Sequence, residues 1–282
     1  AVSLPILRGG FNFGIEFRGG SEFRVNNSQE LPQSLAVETV TEIVPGVQVN
    51  VAAVGFDDLR IQTEQLEDVE SEEVRLALAD AFGVDAAEVA SSFVGPNWGA
   101  DVTRQALIGL GVFLLLVSLL MAFYFRSWKM SVAALLALAH DLVLTAGVYA
   151  GVGFEVTPAA VIGFLTILAY SLYDTVVVFD KVRENTLEIE LSDTRTFGEM
   201  VNLAVNQTLV RSINTSVVAV LPVGSILFIG SLILGAGTLR DIALALFVGT
   251  IVGTYSSIFL AAPIYAHLRS GEKELKEASE RV

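Results

Sequence analysis

Cysteine is missing from all 282 residues. That excludes structural disulfides, thiolate metal sites and a cysteine nucleophile, and it leaves the redox compartment open. Lysine is missing from residues 1–101, where seventeen Asp and Glu stand against only Arg8, Arg18, Arg24, Arg60 and Arg75. A surface this acidic repels nucleic acid and anionic lipid. The same composition fits a high-salt medium that screens such repulsion, so a halophilic, archaeal source is expected, with an acidic mesophile as the plainer alternative. No P-loop, GxSxG, HExxH or dinucleotide fingerprint occurs, which removes the commonest signatures of soluble enzymes and leaves no motif for a metal or cofactor. The opening "AVSLPILRGG" is short and lacks a basic start, so it is not expected to act as a secretory leader.

What is present is apolar. Hydrophobic residues make up 53% of the chain, too many for an ordinary water-soluble domain, so a membrane protein is expected. From Ala106 onward, runs near the roughly 20 residues needed to cross about 30 Å of hydrocarbon fall at Ala106–Phe125, Met130–Gly151, Pro158–Phe179, Ser212–Leu234 and Ile242–His267. Arg126, Lys129, Lys181, Arg183, Arg195, Arg211, Arg269, Lys273, Lys276 and Arg281 cluster on one side of these spans, with only Arg104 and Arg240 on the other. The positive-inside rule makes the first side cytoplasmic. Residues 1–101 then face outward and 268–282 form a cytoplasmic tail. Five spans alone would leave the outer domain without a helix to carry it across, so a preceding span is expected, with Ala1–Leu7 near its outer end.

Residues 1–101 alternate strand and helix signals. "SEFRVN" alternates apolar and polar side chains, and "LPQSLAVETVTEI" has helical spacing at Leu35, Val40 and Ile43, stopped by Pro45-Gly46. "VQVNVAAV" and "DDLRIQTE" read as a strand pair around Gly55. "SEEVRLALADAF" reads as a helix capped by Ser71, and "EVASSFVG" as a last strand. The order βαββαβ predicts a ferredoxin-like α+β sandwich attached to a membrane α-helical bundle. Gly19-Gly20 supplies a turn with positive φ before the first strand. In the cytoplasmic stretch 180–211, Phe197, Met200, Val201, Ala204 and Leu209 share one helical face, which either lies along the membrane or packs under its own bundle.

Chemistry is expected where charge enters the spans. An ionised carboxylate in lipid costs at least about 2.5–3.5 kcal/mol on insertion scales, so an intramembrane Asp faces protein or water. Asp141 in "LAHDLVLTAG" lies near the middle of the second span, beside His140, and Asp174 in the cytoplasmic half of the third. Arg211 opens the fourth span from the same side, so Asp174 and Arg211 are expected to meet. Such a pair keeps the aspartate ionised, and its separation promotes proton uptake, which can couple a proton to movement. The competing reading makes Asp174 a static packing device bonded to Ser or Thr across the bundle. Asp141 is equally open to a relay role or a structural hydrogen bond. Gly249 and Gly253 form a GxxxG for close helix contact, Pro222 should kink the fourth span, and Asp241 with Arg240 should anchor the outer interface. An intramembrane aspartyl protease would need a second Asp in a Gly-x-Gly-Asp context, which neither Asp141 nor Asp241 has.

Several stretches carry a resemblance. "GFNFGIEFRGG", with Gly14, Glu16, Gly19 and Gly20, resembles the segment after the first span of the SecD/SecF export family, where Asp usually stands at the place of Glu16. "VGPNWG" resembles the entrance to that family's second span. "AYSLYDTVVVFDKVREN", with Tyr170, Asp174, Asp180 and Arg183, resembles the fourth-span signature of the SecF side. "NQTLVRSINTS", with Arg211 and Asn214, and "GTYSSIFLAAP" resemble the starts of the fifth and sixth spans. The resemblance implies a six-span, RND-like bundle with an outer domain, in a non-enzymatic subunit without cofactors that works with SecD and the Sec translocon on a translocating polypeptide. It also implies proton coupling through Asp174 and Arg211.

Overall fold

Residues 11–26, 33–54, 58–125, 127–186, 195–230, 237–272 and 275 are described by the computed structural model. The expectations for Ala1–Leu7, for the turn around Gly55 and for most of the tail beyond 272 lie outside those residues.

The acidic region folds into a four-stranded sheet of β2 (Gly20–Val25), β3 (Val49–Val54), β4 (Asp58–Thr63) and β5 (Val89–Val94), in the order β3-β4-β2-β5. All neighbours are antiparallel, in registers such as Phe23 opposite Ile61 and Phe23 opposite Ser91. This is the strand order of a ferredoxin-like sandwich. The helices α2 (Gln33–Ile43) and α3 (Asp68–Phe82) cover one face. Alternation along β2 and β4 turns Phe23, Val25, Leu59 and Ile61 inward, where Ala36, Val40, Val74, Leu78 and Phe82 meet them. The α3 cap differs from the sequence reading. The helix begins at Asp68, with Glu70 Oε2 accepting from the Glu67 N–H at 2.9 Å, while Ser71 lies inside the first turn and its N–H bonds the Glu67 carbonyl. An acidic side chain satisfies the free N–H groups of a first turn as a serine does, so the helix starts earlier.

Two short pieces that the hydrophobic pattern does not announce join sheet to membrane. β1 (Asn12–Phe13) pairs in parallel with β6 (Glu155–Val156), and α1 (Ile15–Arg18) follows it. Gly19 then turns at φ 77 and Gly20 at φ 146, into β2. A Cβ on Gly20 would overlap the Thr63 carbonyl oxygen, so the double glycine answers both a backbone conformation and a close approach.

Among the described residues five helices are long and apolar enough to cross a membrane, and all run past the apolar runs of the sequence. They are α4 (Pro96–Phe125), α5 (Trp128–Val152), α6 (Pro158–Thr186), α7 (Phe197–Ser225) with a π-turn at Ile226–Gly230, and α8 (Gly237–Ser256) with a π-turn at Ser257–Ala261 that leads into α9 (Ala262–Arg269). The amphipathic stretch expected in the cytoplasm is the first half of α7, continuous with the fourth span. Phe197, Val201 and Ala204 are buried with Tyr265, so this face packs under its own bundle. The Arg269 guanidinium sits 5.0 Å over the Phe197 ring, and Glu272 accepts from Lys129 at 2.8 Å. Pro222 lies inside α7, which continues to Ser225 before the π-turn.

Small residues set the tightest contact, between α6 and α8. A Cβ on Gly249 would come within 2.6 Å of Ile167, one on Gly253 within 2.9 Å of Ser171, and one on Gly163 within 2.6 Å of Ala245. The GxxxG of the last span therefore does what its spacing permits. It also brings the Ser171 hydroxyl to the middle of the bundle.

Candidate functional site

Two aspartates are buried among the packed spans. Asp141 on α5 is 2% exposed and Asp174 on α6 is 5% exposed. A charge or an acidic proton held there has to be met by protein groups, since lipid offers none. The structure meets both with hydroxyls. Ser212 on α7 donates to Asp174 Oδ1 at 2.7 Å, and Ser257 donates to Oδ2. Ser171 on α6 donates to Asp141 Oδ2, and His140 Nδ1 lies 3.3 Å from Oδ1. Ser256 donates to the Gly253 carbonyl at 3.2 Å.

Ser256 and Ser257 are consecutive, and successive residues of a helix point about 100° apart, so they reach different neighbours. Ser257 turns to Asp174 on α6 at the start of the π-turn that precedes Pro263, while Ser256 bonds back to its own helix. A proline cannot donate its backbone bond, and a widened turn before it accommodates the change. Polar contacts extend outward from there. Ser216 Oγ shares a hydrogen bond of 2.5 Å with Thr254 Oγ1, and Tyr170 Oη donates to Ser216 Oγ at 3.4 Å. These serines and threonines are the functional residues that sequence reasoning missed. Their trace was a run of small hydroxyl residues in the apolar segments around 212–216 and 254–257.

The expected contact of Asp174 with Arg211 does not form. Arg211 is exposed on α7, while Ser212, one residue on, occupies the place beside the carboxylate. The two residues do share a depth, but a step of one residue turns the guanidinium away from the bundle. Asn214, Asp180 and Arg183 are also exposed, on α7 and α6. Among the described residues no hydrogen bond joins Asp141 to Asp174, so the shared-proton dyad of an aspartyl protease is not assembled. No group of three or more His, Cys, Asp or Glu among the described residues could hold a metal ion. At the end of the bundle nearest the sheet, Asp241 accepts from Thr157 Oγ1 at 2.9 Å and its carbonyl accepts from Tyr149 Oη at 3.4 Å, tying α8 to α5 and to the residue that precedes α6.

Fold and site together define a multi-pass membrane protein: a helical bundle with carboxylates caged by hydroxyls, carrying a ferredoxin-like domain on one side. Residues 74–271 match the family model "Protein export membrane protein SecD/SecF, C-terminal", and residues 6–26 match the "SecD/SecF GG Motif". The protein translocase subunit SecF of Streptomyces coelicolor is 46% identical over 97% of this chain and 73% of its own length. That of Mycobacterium tuberculosis is 43% identical over 100% of this chain and 65% of its own. The crystal structure of SecDF from Thermus thermophilus, titled a translocon-associated membrane protein, superposes with a TM-score of 0.76 at 32% identity, covering 95% of this chain and 36% of that one. The chain belongs to the SecD/SecF family of protein export membrane proteins, on its SecF branch.

Proposed function

We propose that this chain is the SecF-type subunit of a protein-export apparatus, and that protonation of Asp174 drives its working movement. In this reading residues 1–101 lie outside the membrane, the C-terminal tail lies in the cytoplasm, and the partners are SecD, the translocon and a polypeptide in transit. The lysine and arginine asymmetry of the span ends supports the orientation. The Streptomyces relative, a protein translocase subunit SecF, and the Thermus one, a translocon-associated SecDF, support the partners.

The observation that carries the coupling is the cage around Asp174. Both of its oxygens are held, by hydroxyls from two other helices, so the bonding of three helices depends on one titratable group. A hydroxyl accepts as readily as it donates, so the cage can reorganise when the carboxyl gains a proton. Asp141, held by Ser171 of the helix that bears Asp174, is the second group. Arg211 acts from outside it. A guanidinium turned out of a lone bundle is expensive at membrane depth, and Asn214 stands one turn away on the same exposed face. A partner bundle with polar groups is the natural cover for that face, and SecD fills the role.

The serine bonds also favour a second reading, in which Asp174 only locks helices and the chain stabilises its partner. Export driven by a proton gradient in reconstituted vesicles separates the two. With Asp174→Asn, which keeps size and an acceptor oxygen, the coupling reading expects assembly with SecD and a drop of about tenfold or more, equal to about 1.4 kcal/mol of barrier. Export at the wild-type rate leaves the locking role alone standing.

A further inference from the structure

A second set of carboxylates, half-buried, lies away from the spans, where the GG segment meets the loop between α5 and α6. Glu16 of α1 and Glu155 of β6 each present an oxygen, Oε2 and Oε1 respectively, that is buried and without a hydrogen-bond partner among the described residues. The Glu155 side chain is 10% exposed. The two oxygens converge on one place: a Cβ added to Gly14 would overlap Glu16 Oε2 and lie 3.1 Å from Glu155 Oε1. Gly14 has ordinary extended dihedrals, φ −62 and ψ 163, so what it supplies is space for the two carboxyls and not an unusual turn.

Charge around the pair does not balance. Arg60 of β4 pairs with Glu155 Oε2 and is the cation of the group. Arg24 of β2 pairs instead with Asp58 at 2.7 Å. Glu22 of β2 accepts from Gln62 at 3.0 Å, and Asp241 of α8 accepts from Thr157. Arg240, beside Asp241, is exposed. Glu16, Glu22, Arg24, Arg60 and Asp241 line a cavity of about 350 Å³ next to the pair. One guanidinium thus serves Glu155 while Glu16, beside it, keeps an unmatched oxygen. Two carboxylates whose unpartnered oxygens border the same small space above Gly14 cannot both hold a negative charge at low cost, and the cheapest remedy is one proton between them.

We propose that Glu16 and Glu155 form a proton-binding site at the root of the outer domain, sharing one proton that latches the GG segment to the α5–α6 loop. This site is separate from Asp174 and does not rest on coupling within the spans. Burial pushes the Glu16 carboxyl above the usual carboxylate range, and the charge of Glu155 adds to the rise. Burial raises Glu155 too, against the pull of Arg60. With the proton in place the carboxyls bond each other across Gly14. Without it they repel, and the parallel pairing of β1 with β6 carries the strain.

Infrared difference spectroscopy of the full chain in lipid nanodiscs, titrated with acid, reads the protonated carboxyl directly. Wild type is expected to show a carboxylic acid band with a midpoint at least about one pH unit above that of an exposed glutamate. Glu16→Gln and Glu155→Gln should each abolish it, because Arg60 then neutralises the one carboxylate that remains. Glu16→Asp should keep it, and Asp174→Asn should leave it in place. A band that survives either Gln variant, or that Asp174→Asn removes, overturns the proposal. Should a Gln variant fail to fold, Gly14→Ala decides. It keeps every ionisable group and displaces one oxygen, so the midpoint should move by about one pH unit, and an unmoved midpoint counts against the shared proton.

Discussion

The spans and the joint bury carboxylates in opposite ways. Within the spans, Asp141 and Asp174 are held by donors: Ser171 for one, Ser212 and Ser257 for the other. At the joint, Glu16 and Glu155 have one arginine and two oxygens left over. Donated hydrogen bonds stabilise charge, whereas crowded acceptors invite a proton. The same functional group is therefore caged in one region and left short of donors in the other, and the difference follows from which small or basic side chains the neighbouring helices and strands provide.

The comparison can be broken most severely at Asp174. Export by Asp174→Asn should fall by about tenfold or more, with SecD still bound, when vesicle import is measured under a proton gradient. Next in size is the packing that builds the cage. Gly249→Val drives a side chain into Ile167, and overpacking of this kind costs about 1–3 kcal/mol, read as a lower thermal midpoint in detergent. Ser257→Ala removes one donor from the cage. Bonds to charged groups contribute about 1.5–3 kcal/mol, and because Ser212 remains the loss should sit at the lower end, measured by the same melt.

The joint answers to pH instead. A carboxyl whose pKa is raised on folding holds its proton where the unfolded chain has already lost it, so that contribution is full at low pH and lost as pH rises through the raised value. Thermal midpoints of wild type should therefore decline from mildly acidic to neutral pH, and Glu16→Gln should flatten that decline. The smallest effect expected is at the α3 cap. Glu70→Ala should cost about 0.5–1 kcal/mol by denaturant unfolding of the outer domain, while Ser71→Ala changes little.

Much of this architecture was legible in the residues. Five spans, the βαββαβ order, the glycine turn and the close contact at Gly249 and Gly253 all follow from run length, alternation and side-chain size. The span ends were not, because Asn97–Arg104 and Phe197–Arg211 continue their helices through polar sequence that no apolar run marks. β1 and β6 escaped notice because a strand of two residues has no period to detect. The Asp174 site was found by its charge, and the competing reading named serine or threonine as its partner, but not which ones. Sequence gives depth along a helix more readily than rotation about it, and a single step exchanged Arg211 for Ser212. Serines that bond inside a bundle look like the serines that merely ease packing.

The two-residue ladder between β1 and β6 has a mechanical meaning. β6 sits between α5, which bears Asp141, and α6, which bears Asp174, and β1 leads directly through α1 into the outer sheet. Traction applied to the sheet by anything it grips has a short route to the heads of those two helices. The hinge of this lever is narrow enough that a handful of hydrogen bonds decides how much of the tug arrives.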